Sequence, residues 1–217
     1  MNLEAWFTIY RKLCSDLHID TKSDFMSSVT LSRLLGGRSS ASVLDGFRKR
    51  RFEVIGNAPE INLKGICSDS VIIVADSALP RVLDAGLFPH IIVTDLDGDP
   101  EGAVECSRKG AVIVVHAHGD NVNLLRQYVP ILSGSIVGST QNYPLKNIYN
   151  FFGFTDGDRA AFLANFLNAS SITLRGFDFQ NARSGHESAE RKRQKLKWAE
   201  YLLSLLNSEM GGGLQFR

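Results

Sequence analysis

VIIVADSALPRVLDAGLFPHIIVTDLDGDPEGAVECSRKGAVIVVHA, residues 71–117, holds three β-branched runs, VIIVA (71–75), HIIVT (90–94) and AVIVVHA (111–117), set apart by segments of helix length. Short runs alternating with helix-length segments are the pattern of a parallel sheet covered by helices. Pro80 to Gly86 and Pro100 to Lys109 have the length and composition of crossover helices. Further out, FEVIG (52–56), GSIVG (134–138) and SITLRGF (171–177) continue the series, and Asp158 to Asn168 supplies another crossover helix. The expected fold class is α/β, a mostly parallel sheet of about six strands flanked by helices.

Upstream of this region, Leu3, Trp6, Phe7, Tyr10, Leu13 and Leu17 recur at spacings of three and four, which predicts an amphipathic helix that must pack against something else. Ser23 reads as the N-cap of a second helix over residues 24–35, ended by Gly36 and Gly37. Residues 1–50 therefore read as an N-terminal helical region and 51–217 as the main α/β domain. The apolar face at 3–17 suits a subunit contact as well as an intrachain one, so a homo-oligomer is left open.

The 217 residues are 44% hydrophobic and 22% charged, enough to bury a substantial core without disulfides. Lys and Arg total 24 against 23 for Asp and Glu, so no charge excess points to nucleic acid or to a membrane surface. Any anionic ligand must be met by a local cluster. Cys14, Cys67 and Cys106 lack CxxC spacing, which argues against a disulfide framework or a structural zinc site and fits a reducing, cytoplasmic setting. Glu4, Arg11, Lys12 and Asp16 interrupt the N-terminal apolar pattern, so it reads as neither a signal peptide nor a membrane span.

Nearly every apolar run is followed at once by polar residues, and in open parallel sheets ligands bind outside the carboxyl ends of the strands. The first run is followed by Gly56-Asn57-Ala58-Pro59, the second by Asp76-Ser77, and the third by Asp95-Leu96-Asp97-Gly98. His116-Ala117-His118-Gly119-Asp120-Asn121 ends the fourth, and Ser139-Thr140-Gln141 follows the fifth. On an extended segment Asp95 and Asp97 face the same side, roughly 6.6 Å apart at about 3.3 Å per residue. Two such charges repel unless a cation lies between them, and carboxylate oxygens suit Mg²⁺; the bland alternative is a capping Asp followed by an Asp-Gly turn. His116, His118 and Asp120 could hold zinc, but no third His or Cys stands at ligand spacing. Thr155 or Asp156 caps a helix whose N–H groups could receive phosphate, with Arg159 adding a bidentate contact. Lys195, in the charged run 190–197, is a further candidate for phosphate.

The ordered set VIGNAP (54–59), ADSAL (75–79), VTDLDG (93–98), HAHGDN (116–121), FTDGDRA (154–160) and LRGFDF (174–179) resembles the archaeal 6-hydroxymethyl-7,8-dihydropterin pyrophosphokinases, whose catalytic domain is similar to that of thiamin pyrophosphokinase. The resemblance runs from about Phe52 to Leu206. It implies that Asp76, Asp95, Asp97 and Asp120 hold Mg²⁺ and the phosphates of ATP, with Asp95, Asp97 and Asp120 catalytic. It places the Thr155 to Arg159 stretch, Asp158 included, against the bound substrates; Gly56, Asn57, Ser77 and His118, by their place at the strand ends, are further candidates for binding them. Asn57-Ala58-Pro59-Glu60 departs from the Gly-Pro-Ser associated with that loop. The implied reaction is attack by a pterin hydroxymethyl oxygen on the β-phosphorus of ATP, releasing AMP.

Three rival readings predict different behaviour. A nucleotide-sugar glycosyltransferase also uses D-x-D and a metal and would ignore ATP. A metallohydrolase built on His116, His118 and Asp120 would need zinc or manganese, and a non-catalytic module would bind ATP without consuming it. Phe151, Phe152, Phe154 and Phe179 are candidates to stack on a flat bicyclic ring, although such aromatics more often belong to a core.

Overall fold

The computed structural model describes residues 1–181 and 188–217. Its strands are β1 (Arg51–Ile55), β2 (Val71–Ala75), β3 (Ile91–Thr94), β4 (Val112–Ala117), β5 (Ile136–Thr140), β6 (Ile148–Tyr149), β7 (Ser171–Arg175) and β8 (Leu214–Phe216). The helices are α1 (Leu3–Leu17), α2 (Thr21–Leu35), α3 (Leu79–Asp84), α4 (Pro100–Arg108), α5 (Val122–Tyr128), α6 (Asp156–Phe166) and α7 (Ala189–Glu209). Among the described residues the strands form one parallel sheet in the order β6-β5-β4-β3-β2-β1-β7-β8. The six strands expected from sequence are present, and the two-residue β6 and three-residue β8 extend the edges.

Two boundaries differ from expectation for local reasons. Gly134, at φ 66°, turns the chain into the sheet, so β5 begins two residues after the start of the apolar run. Asp20, not Ser23, caps α2: its carboxylate accepts hydrogen bonds from the backbone N–H groups of Lys22 (3.0 Å) and Ser23 (3.3 Å) and from the Ser23 hydroxyl (2.6 Å). A carboxylate at that position also complements the helix dipole, which a hydroxyl one turn further in does not.

Side-chain alternation along the strands divides the interior into two cores. Val71, Ile73, Ile91, Val93, Val112 and Val114 pack on one face with α1, α6 and α7. Ile72, Val74, Ile92, Ile113 and Val115 pack on the other with α2 to α5. Both faces are covered, which explains why these strands are apolar at consecutive positions. α1 and α2 thus lie on opposite sides of the sheet. Trp6, fully buried on α1, donates its indole N–H to the carbonyl of Gln141 at the end of β5 (2.8 Å).

From β1 the chain steps outward to β6, then returns to lay β7 on the free side of β1. The loops after β1 and β7 therefore leave in different directions, and the crevice between them is where ligands bind in such sheets. Gly56 and Gly176 line its floor: a Cβ on Gly56 would lie 2.8 Å from the Gly176 carbonyl, and one on Gly176, at φ 68°, would lie 2.6 Å from the Gly56 carbonyl. Only glycine permits the two backbones to pass this closely. No described helix is long and apolar enough to cross a membrane.

Candidate active site

A cleft of about 810 Å³ opens at the carboxyl ends of the strands, a volume typical of small-molecule sites. It gathers segments far apart in the chain: the Gly56 loop, Ser77, Asp95, Asp97, the 116–120 loop, the start of α6, the loop after β7 and the first turns of α7. Most of the residues predicted from sequence reach it, including Gly56, Asn57, His118, Thr155, Asp156, Arg159 and Lys195.

Asp76, Asp95 and Asp156 are the carboxylates that converge, each offering an oxygen within 4.8 Å of the other two. Asp76 follows β2 and is 2% exposed; it accepts hydrogen bonds from the Thr94 hydroxyl (2.8 Å) and the Gly98 N–H (2.7 Å). Asp95 follows β3, and Asp156 opens α6. Burial, and then the charge of Asp95, push Asp76 up to about 7. Burial and Asp95 likewise raise Asp156 well above the usual carboxylate range. Burial would raise Asp95 too, but the His118 hydrogen bond and charge outweigh it and hold Asp95 well below that range. Carboxylates that resist ionising together are the donor set a hard divalent cation relieves, so these three fit Mg²⁺.

The D-x-D segment is a turn and not the extended pair expected. Leu96 sits at φ 71° with its side chain fully buried, its N–H donating to the Thr94 hydroxyl (2.7 Å). Positive φ is costly for leucine, and such strain persists where the surroundings over-determine it. The turn brings the Gly98 N–H onto Asp76 and leaves Asp97 on the open side of the cleft, outside the converging three. Enclosure by the cleft and the Asp95 charge raise Asp97 to about 6. Asp120 also lies outside the cluster, exposed at the rim, with its N–H donating to His118 Nδ1 (3.3 Å).

The two histidines do different work. His118 Nε2 bonds Asp95 Oδ2 at 3.1 Å. His116 is 2% exposed and accepts from Arg159 Nη2 at 2.9 Å through Nε2, so its proton sits on Nδ1, which donates to Ser139 Oγ (3.2 Å). With both nitrogens engaged, His116 has no atom for zinc or for the substrate hydroxyl. Arg159 reaches the same network. Its guanidinium, in a side chain 2% exposed, bonds Asp156 (3.3 Å), the Phe154 carbonyl (2.8 Å) and His116 and so braces the carboxylate, while its Nε has no partner among the described residues. Asp158 is fully buried and does not line the cleft; it accepts from the N–H groups of Phe154 (2.7 Å) and Thr155 (2.8 Å) in the capping box of α6.

Sequence reasoning missed Asp24 and the role of Asn121. Asp24, 1% exposed on α2, accepts from the Tyr10 hydroxyl (2.6 Å), Gln141 Nε2 (2.6 Å) and the Gly119 N–H (2.7 Å), fixing the loop that carries His118. Asn121 donates to the carbonyls of Asp95 (2.9 Å) and His116 (2.8 Å) and accepts from the His118 N–H (3.1 Å), joining the loops after β3 and β4. Of the aromatic candidates, Phe151 is buried in the core and Phe152 packs against it, while Phe154 and Phe179 line the cleft. Arg191 and Lys192 join Lys195 on the α7 wall.

A family model described as 6-hydroxymethylpterin diphosphokinase MptE-like matches residues 32–184. A 6-hydroxymethyl-7,8-dihydropterin pyrophosphokinase of Methanocaldococcus jannaschii is 40% identical over 195 residues, covering 82% of this chain and 80% of its own. The chain belongs to this family. Like-named relatives from Methanothermobacter thermautotrophicus (36% identical over 222 residues, 95% of both chains) and Pyrococcus furiosus (35% over 223 residues, 96% of this chain and 95% of its own) extend the likeness into α1 and α7. The MptE-like match takes in all three converging carboxylates.

Proposed function

We propose that the chain transfers the terminal diphosphate of ATP to the hydroxymethyl group of 6-hydroxymethyl-7,8-dihydropterin, releasing AMP, as its family membership implies. The observation that carries the chemistry is the convergence of Asp76, Asp95 and Asp156, with Asp95 and Asp156 lining the switch-point cleft and Asp76 buried behind them. These three residues would hold Mg²⁺. When bound, the ion neutralises phosphate charge and aligns the transferring group. The hydroxymethyl oxygen attacks the β-phosphorus, the bond from that phosphorus to the α,β-bridging oxygen breaks, and AMP leaves with the bridging oxygen. Transfers of this kind depend on positioning and charge neutralisation more than on covalent help from the protein.

The protein's own groups divide that task. His118 and Asn121 fix Asp95, Arg159 fixes Asp156, and Thr94 with Gly98 fixes Asp76. Arg191, Lys192 and Lys195 on α7 bring positive charge to the same cleft, as a polyphosphate requires. All three cysteines are free, which supports a reducing, cytoplasmic setting. The test is AMP formation from ATP and Mg²⁺ with and without the pterin, using Asp95→Asn as control. Pterin-dependent AMP that the substitution abolishes supports the proposal; a folded wild-type protein that forms no AMP refutes it and brings sugar nucleotides forward.

A further inference from the structure

Phe177 lies just beyond β7, at the switch point, and its ring spans the gap between two glycines from other elements. A Cβ on Gly56 would come within 3.2 Å of the ring's Cε2 and 3.3 Å of its Cδ2; one on Gly157 would come within 3.1 Å of Cε1 and 3.3 Å of Cζ. Either contact is tighter than side chains normally tolerate, so the two glycines let the ring settle where it does. The side chain is only partly buried, and it lines the cleft. Phe179 stands beside it, with ring centroids 6.4 Å apart.

Gly157 directly follows Asp156, one of the three converging carboxylates. Phe177 therefore packs against the same turn of α6 that carries Asp156, one of the carboxylates proposed to hold the cation of the transferring phosphate. The two substrates differ in how far their rings stand from that atom. The attacking oxygen of the alcohol is one carbon away from its bicyclic ring, and it must come within about 3–3.5 Å of phosphorus. Adenine is separated from the same phosphorus by a ribose and the α-phosphate. An aromatic surface beside the carboxylates consequently suits the ring of the alcohol and is too close for that of the nucleotide.

We propose that Phe177, seated by Gly56 and Gly157, is the platform on which the flat bicyclic ring of the alcohol substrate stacks. The proposal rests on the diphosphate transfer proposed above and adds the residue that selects the acceptor. Offset stacking on one phenyl ring corresponds to about a two- to tenfold change in affinity.

The experiment compares wild type, Phe177→Leu and Phe177→Tyr in equilibrium titrations. One arm uses 6-hydroxymethylpterin, followed by its fluorescence without nucleotide; the other uses α,β-methylene-ATP with Mg²⁺, followed by calorimetry. Phe177→Leu is expected to weaken pterin binding about two- to tenfold, Phe177→Tyr to retain it, and both to bind the nucleotide as wild type does. Undiminished pterin binding by Phe177→Leu overturns the platform, as does a fall in its nucleotide affinity. A wild-type protein that binds nucleotide but no pterin overturns the diphosphate-transfer reading itself, and the platform with it.

Discussion

The acidic rim and the α7 wall line one cleft and are built to opposite specifications. Asp76 is almost wholly enclosed and receives two hydrogen bonds, and Asp95 is tied by His118 and Asn121, so the rim carboxylates arrive already aimed. On α7, Arg191, Lys192 and Lys195 are half-buried side chains on long stems. A metal site needs fixed donors, because misplacing one changes the coordination; a polyphosphate needs charge that can follow it. One side of the cleft supplies geometry and the other supplies field.

The contrast breaks most sharply at Asp95. Asp95→Asn should lower AMP formation by about 10³-fold, the scale of losing the charge stabilisation a metal provides, and should abolish the rise in melting temperature on adding Mg²⁺. Next comes the support behind the rim. Asp24→Ala strands the Tyr10 hydroxyl, Gln141 and the Gly119 N–H, and a loss of about 3 kcal/mol in chemical denaturation is expected. His118→Ala removes the partner of a proposed metal ligand and not the ligand itself, so about a 10- to 100-fold loss is expected, in part recoverable at high Mg²⁺. Lys192→Ala should do least, raising the KM for ATP by about two- to fivefold, with the effect fading as salt rises. An effect at Lys192 as large as that at Asp95 would overturn the division between geometry and field.

Acidity offers a further way to sharpen it. Asp76 at about 7 and Asp97 at about 6 bind protons more tightly in the folded chain than the roughly 3.9 of an unfolded Asp. Their contribution to metal-free stability is therefore fully present below about pH 4 and is lost as pH rises through 6 and 7. Mg²⁺ held by Asp76 as proposed would displace its proton, so the ion's stabilising effect in thermal melts should be larger at pH 8 than at pH 5.5.

The same division decides what the sequence reveals. Strands covered on both faces announce themselves as apolar runs, and Asp76 and Asp95 are legible because they stand directly behind such runs. β6 and β8 are too short to make a run, and α5 spans only two turns. Asp156 is visible as a first-turn residue, but a carboxylate there reads equally as a helix cap; that it turns toward Asp95 depends on where α6 docks. The capping box of Thr155 and Asp158 is written locally in four residues, so the structural role of Asp158 is legible in the sequence. Asp24 has no such signal: two of its partners, Gly119 and Gln141, lie 95 and 117 residues away, and no local pattern encodes a bond of that span.

α1 and α2 flank the sheet but are synthesised before it. Trp6 waits for the Gln141 carbonyl, and Ser28 for the Thr140 hydroxyl at 2.7 Å, partners 135 and 112 residues downstream. At about 5–20 residues per second, the two amphipathic helices spend on the order of ten seconds exposed before β5 emerges to receive them. During that interval their apolar faces are a natural target for chaperones that shield nascent chains, and slowing translation after residue 35 should lengthen the dependence on them.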